Sequence, residues 1–541
     1  MCGIFAYFSK TSITSSTHIG NVLKYEFDKG KSRGPESSSF VKINSRNIWL
    51  GFHRLAINGL NNESNQPFCI SGVYLICNGE IYNYRQLYDI LKVNDFIFHP
   101  RSKSDCEVII HMYLKYGINY VLDSLDGVFG FVLYDTTNDM VYVARDPYGV
   151  RPLYISKLSY MTGNIKNVII ASELKQLSTF EGSIEHVPPG SLITIHLNYE
   201  TGCIQKLHTE KYSSFGFSKK IWTYHKTKLN EFVYNSLFEA VKKRVVGTTE
   251  RPVACLLSGG LDSSTVTAMV NEFLPKGVLE TYSIGLPGST DLIYARKVAD
   301  YLGTKHTEVL LTEQEFFDSI PEVIKAIESY DVTTVRASVG NYLVAKYISK
   351  NSSAKVIFNG DGSDELTGGY KYFNLVKDPF EFDKECKRLL DDIYLFDVLR
   401  SDKSISSNGL EPRTPFLDRT FVQNYLSILP EIRCHSLNNK CEKYLLRESI
   451  QEINPELLPN EVLWRTKEAF SDGVSSTDKS WYQVIHEKLS NPDNSHISGI
   501  ELEKIYYHSL FQNEYPAREG ILPYYWMPKY VKTDDPSART I

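Results

Sequence analysis

Between residues 252 and 264 the chain runs PVACLL and then Ser258-Gly259-Gly260-Leu261-Asp262-Ser263-Ser264, ahead of a helix-spaced segment at 264–273. A buried strand, a Gly/Ser loop and a helix in that order leave few folds open. The rhythm continues with strand 280–285, helix 291–302, strand 306–310, helices 313–330 and 336–350, and strand 355–359. Strands alternating with helices predict a parallel, doubly wound sheet. Beyond residue 380 the pattern is mainly helical.

The loop itself suggests chemistry. Gly259 and Gly260 let the backbone turn tightly with its N–H groups facing inward. The hydroxyls of Ser258, Ser263 and Ser264 add donors, and the helix N-terminus favours an anion. Pyrophosphate or the phosphates of ATP fit, and Asp262 can hold the accompanying magnesium ion. The plainer alternative is a Gly/Ser turn with a helix cap at Ser263; strand, loop, acidic residue and helix together favour phosphate. Gly30-Lys31-Ser32 looks like the end of a kinase-type P-loop, but Tyr25 stands where its first glycine belongs, and that reading fails. A second loop, Asn359-Gly360-Asp361-Gly362-Ser363-Asp364-Glu365 followed by Gly368-Gly369-Tyr370, also leaves a strand. It is expected at the same carboxyl edge of the sheet, where α/β ligands bind. By itself it could equally be a turn.

Ahead of this region the sequence has another character. Short β-type runs at 4–8, 48–52, 73–77, 129–135, 141–145, 168–171 and 191–195 predict a strand-rich domain, with helices expected at 84–92 and 105–116. The polar stretch 206–220 is the linker candidate, dividing a domain 2–205 from a domain 221–541. With 541 residues, two or three domains are expected. A net charge of -5 gives no basic field, so no nucleic-acid partner is expected. The nine cysteines form no C-x-x-C pair and are odd in number, which predicts reduced thiols rather than a zinc site or disulfide framework. No apolar stretch approaches the ~18 residues that span a bilayer, and the run at 2–8 is too short for a signal peptide. A cytoplasmic protein without a membrane partner is the expectation.

The N-terminus carries the other candidate centre. Removal of Met1 would leave Cys2 first, with a thiol nucleophile and an α-amino group to act as its base. A lone cysteine is more often inert, but this one has company in Arg54, Asn78-Gly79-Glu80 and Asp105. Arg54 could pair with an α-carboxylate and Asp105 with an α-ammonium. Asn78 and the Gly79 N–H could stabilise an oxyanion. Singly, each is a surface or turn residue.

Nearly the whole chain resembles glutamine-hydrolysing asparagine synthetases with an N-terminal nucleophile glutaminase domain. The resemblance rests on MCGIFA at the start, SRGPE at 32–36, FHRLAI at 52–57, NGEIYN at 78–83 and DPYGVRPLY at 146–154. It continues through LLSGGLDSS at 256–264, YDVTTVRAS at 330–338, GSDELTGGY at 362–370, PRTPFLD at 412–418 and WRTKEAFSDG at 464–473. It implies an N-terminal αββα sandwich of the Ntn-hydrolase type and a C-terminal doubly wound ATP-pyrophosphatase domain. Cys2 would attack the glutamine side-chain amide to form a thioester, in a pocket lined by Arg54, Leu55, Ala56, Ile57, Asn58, Asn78, Gly79, Glu80 and Asp105. Leu256, Ile284, Asn359 and Gly360 would hold ATP, Asp262 and Asp364 would coordinate Mg2+, and Lys467 would face the phosphates. Aspartate would be activated as β-aspartyl-AMP with release of pyrophosphate, and ammonia arriving through an internal tunnel would displace AMP to give asparagine. A homodimer formed through the N-terminal domain is also implied.

Three positions depart from the family pattern. Asn359 and Asp361 stand where serine and glutamate are usual, and Ser32 where histidine is common. The usual glutamate assists formation or capture of the intermediate, so Asp361, one methylene shorter, bears on rate. Three rival readings are weighed. A synthetase for another carboxylate, such as a β-lactam synthetase, typically lacks the cysteine. A non-catalytic relic would not need Cys2, Asp262 and Asp364 intact. A stand-alone glutaminase would leave the SGGLDSS loop without purpose.

Overall fold

The β-type runs of the first two hundred residues form strands whose side chains alternate between two faces. One sheet contains β1 (Gly3–Ser9), β2 (Ser37–Lys42), β3 (Ile48–Arg54), β8 (Tyr154–Ser159), β9 (Ile165–Ala171) and β10 (Ser183–His186), in the order β10-β8-β9-β1-β3-β2. The other contains β4 (Phe68–Ile70), β5 (Val73–Ile81), β6 (Gly127–Asp135), β7 (Met140–Arg145), β11 (Ser191–Leu197) and β12 (Ile204–Lys211), in the order β12-β11-β7-β6-β5-β4. All their pairings are antiparallel. The computed structural model describes residues 1–9, 16–43, 47–93, 97–159, 165–198, 204–214, 226–466, 479–494, 496–533 and 536. Contacts divide the chain into one unit of Met1–Ser214 with Thr248–Arg251, and another of Phe215–Gly247 with Pro252–Ile541.

Alternation explains the layers of the first unit. Ile4, Ala6 and Phe8 of β1 and Ile48, Leu50 and Phe52 of β3 meet Ile76, Val132, Tyr134, Val141 and Val143 of the second sheet in one core. The opposite parity, Val73, Leu75, Cys77, Phe129, Phe131 and Leu133, packs under the helices Tyr84–Val93, Val108–Tyr116 and Ile118–Ser124. On the outer face of the first sheet, Phe27 from the helix Ser16–Asp28 stacks on Phe40 at 5.1 Å and on His53 at 3.8 Å. Helix, sheet, sheet, helix is the expected αββα sandwich. The DPYGVRPLY segment is a structural turn. Asp146 accepts from the N–H groups of Val150 and Arg151, while the Arg145 guanidinium donates to the carbonyls of Gly149, Arg151 and Val187.

The linker needs correcting. Residues 206–211, expected outside any element, belong to β12, which pairs with β11. An edge strand has one solvent face, so its sequence reads as polar; Leu207 nonetheless packs against the core. Residues 215–220 of the expected linker lie outside the described residues.

In the second unit β13 (Val253–Leu256), β14 (Glu280–Gly285), β15 (Lys305–Leu310), β16 (Val356–Phe358) and β17 (Glu411–Arg413) form a parallel sheet ordered β15-β14-β13-β16-β17. The chain moves outward from β13 through β14 to β15, then returns to the other side of β13 for β16. The switch point of the topology therefore lies between β13 and β16, and both Gly-rich loops leave the sheet there. Helical segments follow the expected order with one break. The segment 313–330 is two helices, Glu313–Asp318 and Ile320–Ile327, because Pro321 has no N–H to continue the first and sits favourably in the first turn of the second. No helix among the described residues is long and apolar enough to cross a membrane.

Candidate functional site

Two groups of side chains stand out, one in each unit. In the first, Cys2 has the parity of Ile4 and Ala6 and packs against the core between the sheets, half-buried, with its Sγ 3.6 Å from the Leu55 carbonyl. Arg33 holds the strand start in place: its Nε donates to the Cys2 carbonyl at 3.0 Å while its guanidinium pairs with buried Glu173 at 2.6 Å. Asn78 has the parity of Ile76 and faces the same inter-sheet space. Its amide oxygen and nitrogen are both buried with no partner among the described residues. An orphaned buried amide costs about 1–3 kcal/mol, which a ligand hydrogen bond would recover.

The loop following β3 closes this group. Ala56 N donates to Glu36 at 2.7 Å, Asn58 to Glu80 at 2.9 Å, and Ile81 N to Asp105 at 2.6 Å, so Arg54 to Asn58, Asn78 to Glu80 and Asp105 form one neighbourhood. The segment Thr248–Arg251 braces it: Glu250 N donates to the Ile57 carbonyl, Gly59 N to the Glu250 carboxylate, and Arg251 to the Ala56 carbonyl. Arg54 behaves differently from the sequence expectation. Three of its five N–H groups go to Asn61, Asn65 and Gly59 of its own loop, which fixes the loop and leaves fewer donors for a ligand carboxylate. Burial lowers its basicity, opposed by the nearby Cys2 thiol and Glu36. Ser32 is exposed, and its departure from the family pattern meets no packing constraint.

In the second unit the strand–loop–helix expected at 252–273 is present, with the helix starting at Leu261 behind the N-cap Gly260. The Ser258 and Ser263 hydroxyls lie 3.0 Å apart, and Ser258 N donates to Ser263 Oγ, so they shape the loop from within. A cavity of about 200 Å³ opens here, walled by Leu256, Ser258, Gly260, Asp262, Ser263 and Ile284 on one side and by Asn359, Gly360, Asp361 and Asp364 on the other. Gly259 (φ 71°) packs on Tyr294 instead, and Ser264 is buried in the helix. Those two expected contacts fall off the cavity wall, Ser264 because the first helical turn carries its side chain inward. Lys467 lies outside the described residues. The loops approach so closely that a Cβ at Gly360 would stand 2.7 Å from the Asp262 Cβ.

Several cavity residues were not singled out from the sequence. Lys443 places its ammonium against both carboxylates expected to hold metal, 2.6 Å from Asp364 Oδ1 and in a short ion pair with Asp262. That two separate loops aim carboxylates at one cation shows that the donor set suits a cation; two oxygen ligands suit magnesium carried mainly by phosphates and water. On the far wall Arg400 pairs with Asp361 at 3.1 Å and Asp397 at 2.7 Å. Burial works against the Arg400 charge, but the two aspartates outweigh it and hold the guanidinium above its ordinary basicity. Glu365 accepts from Tyr370; burial first, then Asp397 and Asp364, push its carboxyl well above the usual range. Asn359 donates to Ser401 Oγ at 2.7 Å, tying its loop to the helix Asp397–Ser406. No local pattern marks Lys443, Asp397 or Arg400, which come from distant helices.

Comparison with known proteins bears on both groups. The asparagine synthase family model matches residues 233–381 and 376–520, and the glutamine amidotransferase domain model matches residues 1–206. The chain is 39% identical to the glutamine-hydrolysing asparagine synthetases of Homo sapiens and Gallus gallus, covering 100% of this chain and 98% of each relative. It is 38% identical to that of Bos taurus at the same coverage.

Proposed function

From the premise that the chain belongs to the glutamine-hydrolysing asparagine synthetases, we propose that its two residue groups are the two reaction centres of such an enzyme. The chain makes L-asparagine from L-aspartate with ATP, using ammonia from L-glutamine and producing glutamate, AMP and pyrophosphate. In the first unit, processing that removes Met1 converts the Cys2 nitrogen from a peptide N–H, which cannot accept a proton, into an amine that can. The thiolate adds to the glutamine side-chain carbonyl, and the oxyanion that forms is met by the Asn78 amide and the Gly79 N–H. Ammonia leaves, and water cleaves the γ-glutamyl thioester to glutamate. Arg54 to Asn58, Glu80 and Asp105 hold the amino-acid end, with Asp105 as the counter-charge to the α-ammonium.

In the second unit the aspartate side-chain carboxylate attacks the α-phosphorus of ATP. The bond to pyrophosphate breaks, and ammonia then displaces AMP from β-aspartyl-AMP. The Ser258–Ser263 loop and the helix N-terminus behind it receive the phosphates, while Leu256 and Ile284 flank the nucleotide. Asp262 and Asp364 would hold magnesium, which supplies charge neutralisation to the departing pyrophosphate. Lys467 is assigned to the phosphates on resemblance. Asp361, held by Arg400, lies on the wall facing the reacting carboxylate. None of the eight described cysteines is in a disulfide, in keeping with a cytoplasmic setting; a homodimer rests on family resemblance.

What carries the reading is Cys2 beside an orphaned buried amide in one unit, together with a phosphate-type loop beside two carboxylates at a sheet switch point in the other. The test is Cys2→Ala with products followed by mass spectrometry from ATP, aspartate and amide-labelled glutamine. Loss of glutamine-supported synthesis with ammonia-supported synthesis intact is expected. Loss of both in a folded variant, or ADP and phosphate as products, would overturn it.

A further inference from the structure

Lys443 is held in place by unusual means. It is buried, it adopts left-handed backbone angles (φ 57°, ψ 23°) at the start of the helix Tyr444–Ile453, and its ammonium is ion-paired with Asp262 and Asp364 together. A left-handed lysine is costly, and such strain concentrates where function requires it. Gly369 makes the room: a Cβ there would overlap both the Lys443 side chain and the Asp364 carboxylate. Ser363 donates to the other Asp262 oxygen at 2.8 Å, fixing that carboxylate toward the lysine. Three loops distant in sequence thus converge on one ammonium.

We propose that Lys443 is the resident cation of the Asp262–Asp364 pair in the nucleotide-free enzyme, and that it excludes free divalent metal until a polyphosphate arrives. The inference rests on assigning those aspartates to magnesium. The ammonium occupies the space between the carboxylate oxygens that a divalent ion would need, and like charges this close repel strongly. In the structure the lysine's ammonium is held by Asp262 and Asp364. A bound triphosphate supplies another anion, so the ammonium transfers to phosphate oxygen as the metal enters with the nucleotide. No bond is made or broken; one cation is exchanged for another. Metal and nucleotide binding are therefore coupled, and each tightens the other reciprocally.

The experiment measures free Mn2+ by electron paramagnetic resonance in titrations of the full chain, with and without the non-cleavable analogue α,β-methylene-ATP. Wild type is expected to show no stoichiometric Mn2+ site alone and one additional site with the analogue, beyond that of the analogue itself. Lys443→Gln is expected to bind one Mn2+ without nucleotide at least tenfold tighter than wild type, and Mn2+ is expected to raise its melting temperature. Lys443→Arg, which keeps the charge, stays silent without nucleotide. Equal nucleotide-free binding by wild type and Lys443→Gln overturns the proposal alone. Should Lys443→Gln not fold, a stoichiometric nucleotide-free site in wild type is enough to overturn it. Asp262→Asn separates the underlying assignment: if it keeps the nucleotide-dependent site, the metal reading fails and the proposal with it.

Discussion

At the scale of single residues, the first unit turns on whether a side chain is left without a partner. Asn78 is buried in a unit where nearly every other polar group of the neighbourhood is paired: Glu80 by Asn58, Asp105 by Ile81, Glu36 by Ala56. A preorganised donor aimed at a developing oxyanion is worth about 2.7–4 kcal/mol. Asn78→Ala is therefore expected to lower the glutaminase kcat by about 10²–10³ with little change in KM, measured as glutamate release. An effect confined to KM would mean that Asn78 binds substrate and does not act on the transition state. Asp361 shows how one methylene less is accommodated. The shorter side chain is fixed by Arg400, itself anchored by Asp397, so its carboxylate keeps a defined place on the cavity wall. Asn78 was legible in the sequence through the NGE motif; Arg400 was not, because nothing near it in the chain announces an ion pair.

At the scale of elements, the second cavity depends on two loops touching at the end of a parallel sheet. Gly360 is the contact, and any side chain there meets the Asp262 Cβ and the Ser263 backbone. Gly360→Ala is expected to separate the loops and reduce ammonia-supported synthesis at least tenfold, while glutamine hydrolysis in the first unit is unchanged; an assay of both activities on one preparation checks this. The helix Val332–Asn351 provides a second prediction. Its N-cap Asp331 accepts from Thr334 N and from Trp526 N, each at 2.8 Å, and burial raises its carboxyl to about 6. A carboxyl protonated in the folded chain up to that pH, but only up to about 4 when unfolded, makes the folded state the greater proton binder in between. The Asp331 contribution to the stability of the second unit, about 3 kcal/mol, is thus lost as pH rises from about 4 to about 6. In Asp331→Asn that component of the slope disappears, whatever the offset in absolute stability; urea midpoints against pH would reveal an unchanged slope if the assignment is wrong.

At the scale of the molecule, both units contain histidines kept neutral by burial. His53 in the first unit and His306 and His435 in the second are each lowered to about 4, chiefly by desolvation. The unfolded chain protonates these groups at about 6.5, so it is the greater proton binder below that value. Their contribution is fully present above pH 6.5 and is lost as pH falls toward 4. In the second unit two histidines oppose Asp331, and the net effect of acid is still destabilising. Limited trypsin digestion after incubation at pH 7.5 and pH 5 is expected to show new cleavage in both units; sensitivity of one unit only would contradict this. The sequence by itself determined the two chemistries and the order of most elements. Side-chain period, turn residues and the Gly/Ser loop are local properties, so a parallel sheet and a strand-rich first domain follow from neighbours in the chain, while the αββα layering was implied by the family resemblance. It misjudged β12, whose single buried face leaves a polar signature, and Ser264, whose hydroxyl is buried in the helix and off the cavity wall. Only the tertiary structure decided that Lys443, Asp397 and Arg400 meet the loops, and that Thr248–Arg251 returns to brace the loop after β3. Those contacts arise where helices and strands far apart in sequence pack together, and no periodicity records which distant charge will share a cavity.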